Sequence, residues 1–415
     1  MAPLMVDSIS SLPDEILCRI LSLLSTKESV ATSVLSKRWT HLCHHVPNLQ
    51  FSDITVNTLP SILLFNQFVY SLLLSRDSAA GSNFVNTFRL HIRYDTFYFA
   101  YNFGFPNITK WINFVVQPKF TLKNLSLHFN GFSVEDLDQM NPPKLPLSIF
   151  TCKTLVSLSL RWFKADGYSF SSKGCQLPSL KILHLELLFF SDFPDFLLLL
   201  AGSPLLEDLL VSQLYFLGVM EDAVEDDSDS QDFKSLCLPN LTRADLAQCG
   251  CSWFPINALS SCVSLCIQTC SFYIEDDVVS KMKQFPVFHN LTDLKLHNNW
   301  ELALKVLHLC PKLQNLQLYQ DSLEAILNGE NNQENTTEPE FVPQCISLYL
   351  RTCTIRNFLG LQGELKLAKY ILKNGKNLQT MSIWGIWELP EIERELSACP
   401  KASATCELSI IYNRA

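Results

Sequence analysis

Cysteine is the residue type whose number and spacing first suggest chemistry in this chain, with 15 among 415 residues. Five of them lie close together, and their thiolates could bind zinc: Cys249, Cys251, Cys262, Cys266 and Cys270. Structural zinc sites normally contain Cys-x-x-Cys pairs, and the sequence has none. The spacing therefore argues against a metal centre.

A structural role accounts for several of these cysteines. In a leucine-rich repeat, Leu-x-x-Leu-x-Leu is followed three residues later by Asn or Cys, whose side chain turns inward to bond exposed backbone groups. Five residues fall at that spacing: Asn130, Cys249, Cys270, Asn299 and Cys353. We therefore expect neither a metal nor a cofactor.

Catalytic signatures are missing elsewhere in the sequence. His44 and His45 are adjacent but have no third ligand at a useful spacing. The chain contains no Gly-x-x-x-x-Gly-Lys, no Gly-x-Ser-x-Gly and no His-Glu-x-x-His. We therefore expect a non-catalytic protein.

Composition narrows the partners and the compartment. The net charge is −9 and the longest basic run is Lys37-Arg38, which disfavours nucleic acid. The most apolar stretch, residues 187–200, is interrupted by Asp192, Pro194 and Asp195, so we expect no membrane span. Without a recognisable signal peptide, 15 cysteines indicate reduced thiols in the cytoplasm and/or nucleus. A protein partner fits this composition best.

Residues 8–50, after a flexible N-terminus at 1–7, are predicted to form three short helices. Pro13 suits the first turn of a helix, and Ser25 with Glu28 has the form of a capping box. Apolar residues of the first helix recur at helical spacing: Ile16, Leu17, Ile20, Leu21 and Leu24. Forty residues cannot bury all these apolar faces, so the rest of the chain or a partner must cover them. A helical cap on the following region is the alternative.

A leucine-rich repeat array is predicted from residue 51 to 330. Ten segments fit Leu-x-x-Leu-x-Leu with conservative replacements, two of them beyond residue 330; they begin at Leu122, Leu155, Leu180, Leu206, Leu241, Cys262, Leu291, Leu313, Cys345 and Leu378. Each provides one short strand, which can bury its apolar edge only by stacking on its neighbours. An acidic loop at 219–234 and a polar linker at 331–340 interrupt the array.

The N-terminal residues resemble the F-box of plant F-box proteins over about forty residues. The matching segments are Leu12-Pro13-Asp14-Glu15-Ile16-Leu17, Ile20-Leu21, Thr26-Lys27-Glu28 and Val34-Leu35-Ser36-Lys37-Arg38-Trp39. The resemblance implies docking onto the Skp-family adaptor of a cullin-containing ubiquitin ligase. The residues it implies for adaptor binding are Leu12, Pro13, Asp14, Ile16, Leu17, Ile20, Leu21, Val34, Leu35 and Trp39. We expect Leu12, Pro13, Ile16, Leu17, Leu35 and Trp39 to be partly exposed.

Residues 341–415 resemble the FBD domain of the same plant proteins. The similarity rests on Phe341-Val342-Pro343-x-Cys345, Glu364 with Ala368-Lys369-Tyr370-Ile371-Leu372, and Cys399-Pro400 before Cys406. F-box, repeats and FBD in this order are typical of the plant F-box/FBD/LRR-repeat family. The resemblance predicts an α/β chain: a three-helix F-box, an irregular leucine-rich-repeat solenoid with a curved parallel sheet and helical returns, and an α/β FBD that continues it.

That family implies a substrate-recognition adaptor of an SCF-type (Skp–cullin–F-box) ubiquitin ligase. Its F-box recruits the adaptor and its solenoid holds a target protein. Two alternatives remain open from the sequence. One is an interaction scaffold that works without a ligase. The other is a receptor whose small-molecule ligand completes the target surface, which predicts a deep pocket on the concave face.

Side-chain alternation places the predicted target-binding residues. Residues one step past the last apolar position of each repeat should form one column on the concave face. The column contains His128, Arg161, Glu186, Ser212, Ala247, Gln268, His297, Tyr319, Arg351 and Trp384. We predict target binding by its larger polar and aromatic members, all except Ser212 and Ala247, with Tyr319, Arg351 and Trp384 as the hot spot. The alternative is that FBD elements bury Trp384.

Overall fold

The computed structural model describes residues 9, 11–78, 85–131, 142–165, 175–217, 236–247, 254–268, 285–297, 300–319 and 341–412. The flexible N-terminus (1–7), the acidic loop (219–234) and the linker (331–340) proposed from the sequence lie outside these residues. The chain divides into two compact units. The first is Met1–Pro204 with Tyr215–Val219, and the second is Leu205–Leu214 with Met220–Ala415.

The first unit begins with three short helices and continues with alternating strands and helical segments. Its helices are α1 (Asp14–Leu21), α2 (Thr26–Ala31), α3 (Lys37–His45), α4 (Leu59–Ser78), α5 (Phe97–Phe99), α6 (Phe105–Val115) and α7 (Phe193–Ala201). A 3-10 turn (Thr32–Val34) precedes α3, and a π-helical turn (Ala100–Gly104) joins α5 to α6. Its strands are β1 (Asn48–Val56), β2 (Thr87–Tyr94), β3 (Asn124–Asn130), β4 (Ser157–Ala165) and β5 (Ile182–Phe190).

Strands β1 to β5 pair in parallel and in sequence order. Apolar residues in register form continuous buried columns, one of which is Leu90, Leu127, Leu160 and Leu185. Burying each such side chain contributes about 2 kcal/mol. The alternation is interrupted within β4 and β5 at Trp162 (φ 67°) and Leu187 (φ 53°), which adopt left-handed backbone conformations and are themselves buried.

The second unit repeats the same strand-and-return pattern. Its strands are β6 (Asp208–Phe216, whose last two residues belong to the first unit), β7 (Arg243–Ala247), β8 (Ser264–Gln268), β9 (Asp293–His297), β10 (Asn315–Tyr319), β11 (Thr352–Phe358), β12 (Thr380–Gly385) and β13 (Glu407–Tyr412). Its helices are α8 (Trp300–His308), α9 (Gln344–Leu348), α10 (Gln362–Asn374) and α11 (Pro390–Ser397).

Strands β6 to β13 also pair in parallel and in sequence order. Pro239 and Pro311 precede two of them, β7 and β10. The residue before each proline begins a turn, because its carbonyl accepts a hydrogen bond from the N–H of the residue three positions later. The Leu238 carbonyl accepts from Leu241 (3.1 Å), and the Cys310 carbonyl accepts from Leu313 (3.2 Å). Proline presets φ for the second position of such a turn, so it directs the chain into the strand.

One predicted repeat is wrong. The segment Cys345-x-x-Leu348-x-Leu350 forms helix α9, not a strand, because Pro343 occupies the N-cap and an i, i+3 apolar pair also fits a helix. The true strand is β11, seven to eight residues later in the chain. In it Cys353 is a buried core residue in register with Leu316 and Met381, so its predicted role as an inward-turning residue after a strand is also wrong.

The predicted fold class is confirmed. Both units are α/β structures with parallel sheets and helical returns, and three helices open the chain. Among the described residues, no helix combines the length and the apolar character needed to cross a bilayer.

Candidate functional site

The three N-terminal helices enclose a small apolar core. Its members are Leu17, Leu21, Trp39, Leu42 and Val46, with Leu12 and Cys18 packed at its edge. The prediction that Leu17 and Trp39 are partly exposed is therefore wrong: Leu17 is 0% and Trp39 8% exposed. Leu17 and Leu21, four residues apart, face inward because they form the inner side of α1. These residues support the predicted adaptor-binding surface from within.

An arginine fixes the segment that leads into α1. The Arg38 guanidinium donates to the carbonyl of Leu12 (Nη2–O, 2.5 Å) and to Asp14 (Nε–Oδ1, 2.8 Å). Both bonds come from the first turn of α3 and close the loop that carries Pro13. Pro13 stays exposed at the start of α1. Asp14, predicted to touch the adaptor, thus also holds two helices of the module together.

The predicted capping box at Ser25 is confirmed. Ser25 donates its N–H to Glu28 Oε2 (2.9 Å), and Glu28 donates its N–H to Ser25 Oγ (3.2 Å). The neighbouring Thr26 is buried, and its hydroxyl accepts the N–H of Gln50 in β1 (2.6 Å). The start of α2 is therefore fixed both within the module and to the first strand.

The outer side of the module is apolar. Ile16 (44% exposed) and Ile20 lie outward on α1, and Leu23 (83%) continues their i, i+4, i+7 spacing into the following turn. We define the exposed apolar set as Pro13, Ile16, Ile20, Leu23, Leu24, Val34 and Leu35. Leu23 and Leu24 were not among the predicted site residues, although the spacing from Ile16 indicates Leu23.

Buried polar contacts join α3 to α4. His44 Nδ1 lies 3.0 Å from Ser75 Oγ, and the buried Arg76 donates to the carbonyl of Cys43 (3.3 Å). Burial lowers the pKa of Arg76 to about 10, so it stays charged at neutral pH and complements the negative end of α3. Cys43 is buried, and its thiol lies 3.1 Å from the Thr40 carbonyl.

The open sheet face of the first unit, opposite the buried leucines, carries a stacked polar column. His91 and His128 are stacked in register with ring centroids 4.2 Å apart. His91 Nε2 lies 2.8 Å from Ser126 Oγ, and His128 Nε2 lies 2.7 Å from Ser159 Oγ. Burial, with the neighbouring His91, lowers the pKa of His128 to about 4, so His128 is neutral at pH 7. The column predicted from the sequence begins one strand earlier than expected, because His91 belongs to it.

Arg161 and Glu186 follow His128 in the same column. They are in register across β4 and β5, and their side chains form an ion pair. Both remain partly exposed. The three column residues predicted in this unit, His128, Arg161 and Glu186, therefore lie side by side on its open face.

The open sheet face of the second unit carries an aromatic and cationic column. The His297 and Tyr319 rings stack with centroids 4.4 Å apart. The Arg356 guanidinium lies 5.7 Å from the Tyr319 ring and 5.3 Å from the Trp384 ring, on either side of it. Gln268 occupies the same column in β8, in register with His297. Trp384 is half-buried in the sheet column rather than enclosed in a core.

Arg351 does not belong to this column, which corrects the prediction. The residue in register with Tyr319 and Trp384 is Arg356. The sequence predicted a strand at the residues that form α9. The residue expected in the column was therefore taken from a segment that precedes the true strand, β11. Arg351 instead lies just before β11, at the edge where the strand begins.

The cysteine cluster has two described members. Burial raises the pKa of both Cys262 and Cys266 to about 12, so without a metal both are thiols at neutral pH. Cys249, Cys251 and Cys270, like Asn299, lie outside the described residues. In the described part of the chain no three His, Cys, Asp or Glu side chains are grouped to hold a metal. Asn130 is exposed at the end of β3, so its predicted inward turn is wrong.

Comparison with known proteins agrees with this layout. Two family models match the chain, the F-box domain over residues 9–51 and FBD over residues 338–383. The chain carries an F-box and an FBD. It is 29% identical to an FBD-associated F-box protein of Arabidopsis thaliana, over 97% of this chain and 99% of that protein. It is 28% identical to an F-box/FBD/LRR-repeat protein of the same plant, again over 97% and 99%. The predicted resemblance to the plant F-box/FBD/LRR-repeat family is confirmed.

Within the FBD, a buried glutamate organises the start of α10. Glu364 Oε2 accepts hydrogen bonds from the N–H groups of Leu359 (2.9 Å), Gly360 (2.6 Å) and Leu361 (2.9 Å). Gly360 has φ +83°, which a residue with a side chain adopts only with strain. Burial raises the pKa of Glu364 to about 7, although the three N–H donors act in the opposite direction. Glu364 belongs to the motif that marked the FBD in the sequence.

Proposed function

We propose that this chain is the substrate-recognition subunit of an SCF-type ubiquitin ligase. Its F-box docks a Skp-family adaptor and, through it, a cullin. The repeats and the FBD bind a target protein, in the cytoplasm and/or nucleus. The chain performs no chemistry itself; it raises the effective concentration of the target near the ubiquitin-charged enzyme of its partners.

The observation that carries this proposal is the exposed apolar set of the F-box. Val34 is 85% and Leu35 65% exposed, although both belong to a module that buries other leucines completely. Apolar side chains left in water at this density are typical of a binding surface. Covering each of them with a partner contributes about 2 kcal/mol. The contacts of His44 with Ser75 and of Arg76 with Cys43 join α3 to α4 and hold this surface to the first repeats.

The test compares Leu35→Asp with Leu64→Asp. Leu64 is a matched control because it is 66% exposed but lies on α4, outside the F-box. The full-length chain is titrated with a purified Skp-family adaptor by calorimetry. We expect Leu35→Asp to weaken adaptor binding by about 2 kcal/mol or more, as for a hot-spot residue, and Leu64→Asp to leave it unchanged.

Binding that survives Leu35→Asp, and also Val34→Asp, would contradict the proposal. The helical module would then be a cap on the repeats, and the chain a scaffold that works without a ligase. Circular dichroism of each variant checks that the fold is retained. Both positions are exposed, so little destabilisation is expected.

A further inference from the structure

An open polar cleft lies at one edge of the second unit's sheet, where β10 to β13 begin. It has a volume of about 470 Å³, within the range of ligand sites. Gln314, Arg351 and Gln379 each immediately precede a strand, and Thr405 precedes β13. None of the cleft residues belongs to the open-face column, so this is a separate surface from the target site predicted above.

Backbone hydrogen bonds set the floor of the cleft. The Arg351 N–H donates to the Gln314 carbonyl (2.8 Å), and the Gln379 N–H donates to the Arg351 carbonyl (2.8 Å). The strand ladder therefore holds these three residues side by side at a fixed spacing. Their side chains are not needed for these bonds, which leaves them available to a ligand.

A turn after α10 forms one wall. Lys376 and Asn377 follow the helix end at Gly375, and Asn377 Nδ2 donates to the Leu348 carbonyl (2.6 Å) at the end of α9. That bond ties the wall to the neighbouring helix. The cleft is thus formed before any ligand arrives, which limits the entropy lost on binding.

The lining is cationic and rich in donors. Arg351 and Lys376 are both exposed, and no carboxylate lines the cleft. Within the described ranges, neither cation forms an ion pair. Gln314, Gln379, Tyr349 and Thr405 add amide and hydroxyl groups. Residues 341–415 contain nine basic and six acidic residues, whereas the whole chain has a net charge of −9. The cleft is a local exception to the acidic character of the protein.

We propose that this cleft binds a phosphomonoester. Its two cations match the charge of about −2 on that group, whereas a single carboxylate would balance only one of them. The planar guanidinium of Arg351 can donate two parallel hydrogen bonds to phosphate oxygens, and Lys376 supplies the second charge. The remaining volume accommodates part of the molecule or peptide to which the phosphate is attached. This site does not depend on adaptor docking by the F-box.

The test is calorimetric titration of the full-length chain with a short alanine peptide carrying one central phosphoserine. Arg351→Gln and Lys376→Gln should each weaken binding tenfold or more, and raising the salt concentration should weaken it further. Lys366→Gln is the matched control. It removes one charge from an exposed position on α10, the helix that precedes Lys376, outside the cleft. It should leave the affinity unchanged.

Two further arms identify the source of the phosphate. Free phosphoserine that binds as tightly as the peptide indicates a small phosphorylated ligand; a clearly tighter peptide indicates a phosphorylated protein segment. Either outcome supports the site. The site is refuted if the unphosphorylated peptide binds equally well, if neither phosphorylated probe binds, or if Lys366→Gln weakens binding as much as Arg351→Gln. Leu35→Asp should not alter this affinity, so failure here is distinguishable from failure of the F-box proposal.

Discussion

On the open face of the first unit, the polar side chains bond mainly to one another. His91 and His128 stack and each lies beside a serine hydroxyl, and Arg161 pairs with Glu186. On the open face of the second unit, Arg356 lies against two aromatic rings instead. Among the described residues its guanidinium has no hydrogen bond and no ion pair, and it is exposed.

This difference bears on where a target protein binds. A partner that contacts the first face must compete with bonds already made, so each new bond adds little net free energy. A partner that contacts the second face meets a preoriented cation, Arg356, between two large rings. Arginine, tyrosine and tryptophan are also the types that dominate measured hot spots. We therefore propose that a target protein binds to the column of Tyr319, Arg356 and Trp384.

The largest expected effect is on target affinity. Arg356→Glu should weaken binding by about 4 kcal/mol, roughly a thousandfold, because it removes a central cation and introduces an opposite charge. Arg89→Glu is the matched change on the first unit, since Arg89 is also an exposed arginine on an open sheet face. It should have little effect. Targets can be captured with the Leu35→Asp chain, which should not deliver them for degradation, and their affinities measured by calorimetry.

Equal losses of target affinity from Arg356→Glu and Arg89→Glu would contradict the proposed difference between the two faces. The target would then span both faces, and the internal bonds of the first unit would not exclude it. Loss from Arg89→Glu alone would move the site to the first unit. Unfolding curves of both variants show whether either change acts through stability.

Much of this layout follows from local sequence signals. The leucine columns follow from the repeat spacing, and the bonds of Ser25 with Glu28 follow from the capping-box pattern. Each feature involves residues close in sequence or a period repeated many times. Such signals accumulate, so an individual irregular repeat does not change the fold class.

The errors arise where two periods fit the same residues. The spacing of Cys345 and Leu348 fits either a helix or a repeat strand, and only Pro343 distinguishes the two structures. Because a strand was predicted there, Arg351 was wrongly placed in the column. The apolar residues of α1 form two stripes, one buried and one exposed. Their spacing was taken to indicate a single stripe, so Leu17 was expected to be exposed. The ring stacking of His91 on His128 depends on register between strands and leaves no signal within either segment.

The next largest effect is on stability at the FBD. Burial raises the pKa of Glu364 to about 7, above its ordinary value of 4.5. The folded chain then holds a proton that the unfolded chain has lost between these pH values, so folding is favoured at the lower pH. Relative to Glu364→Gln, the natural chain should lose about 3 kcal/mol of unfolding free energy as the pH rises from 4 to 8. Urea unfolding at several pH values measures this loss. A constant difference between the two proteins would show that the three N–H donors fully offset the effect of burial on the pKa of Glu364.

The smallest effect has the opposite sign and belongs to the first unit. Burial lowers the pKa of His128 to about 4, whereas an unfolded histidine titrates near 6.5. Between these values the unfolded chain binds a proton that the folded chain does not, so stability falls as the pH drops. Because His128 is partly exposed, we expect a loss of only about 1 kcal/mol between pH 7 and 4, measured against His128→Gln. If the unfolding free energy of His128→Gln changed with pH as that of the natural chain does, titration of His128 would make no contribution to the pH dependence of stability.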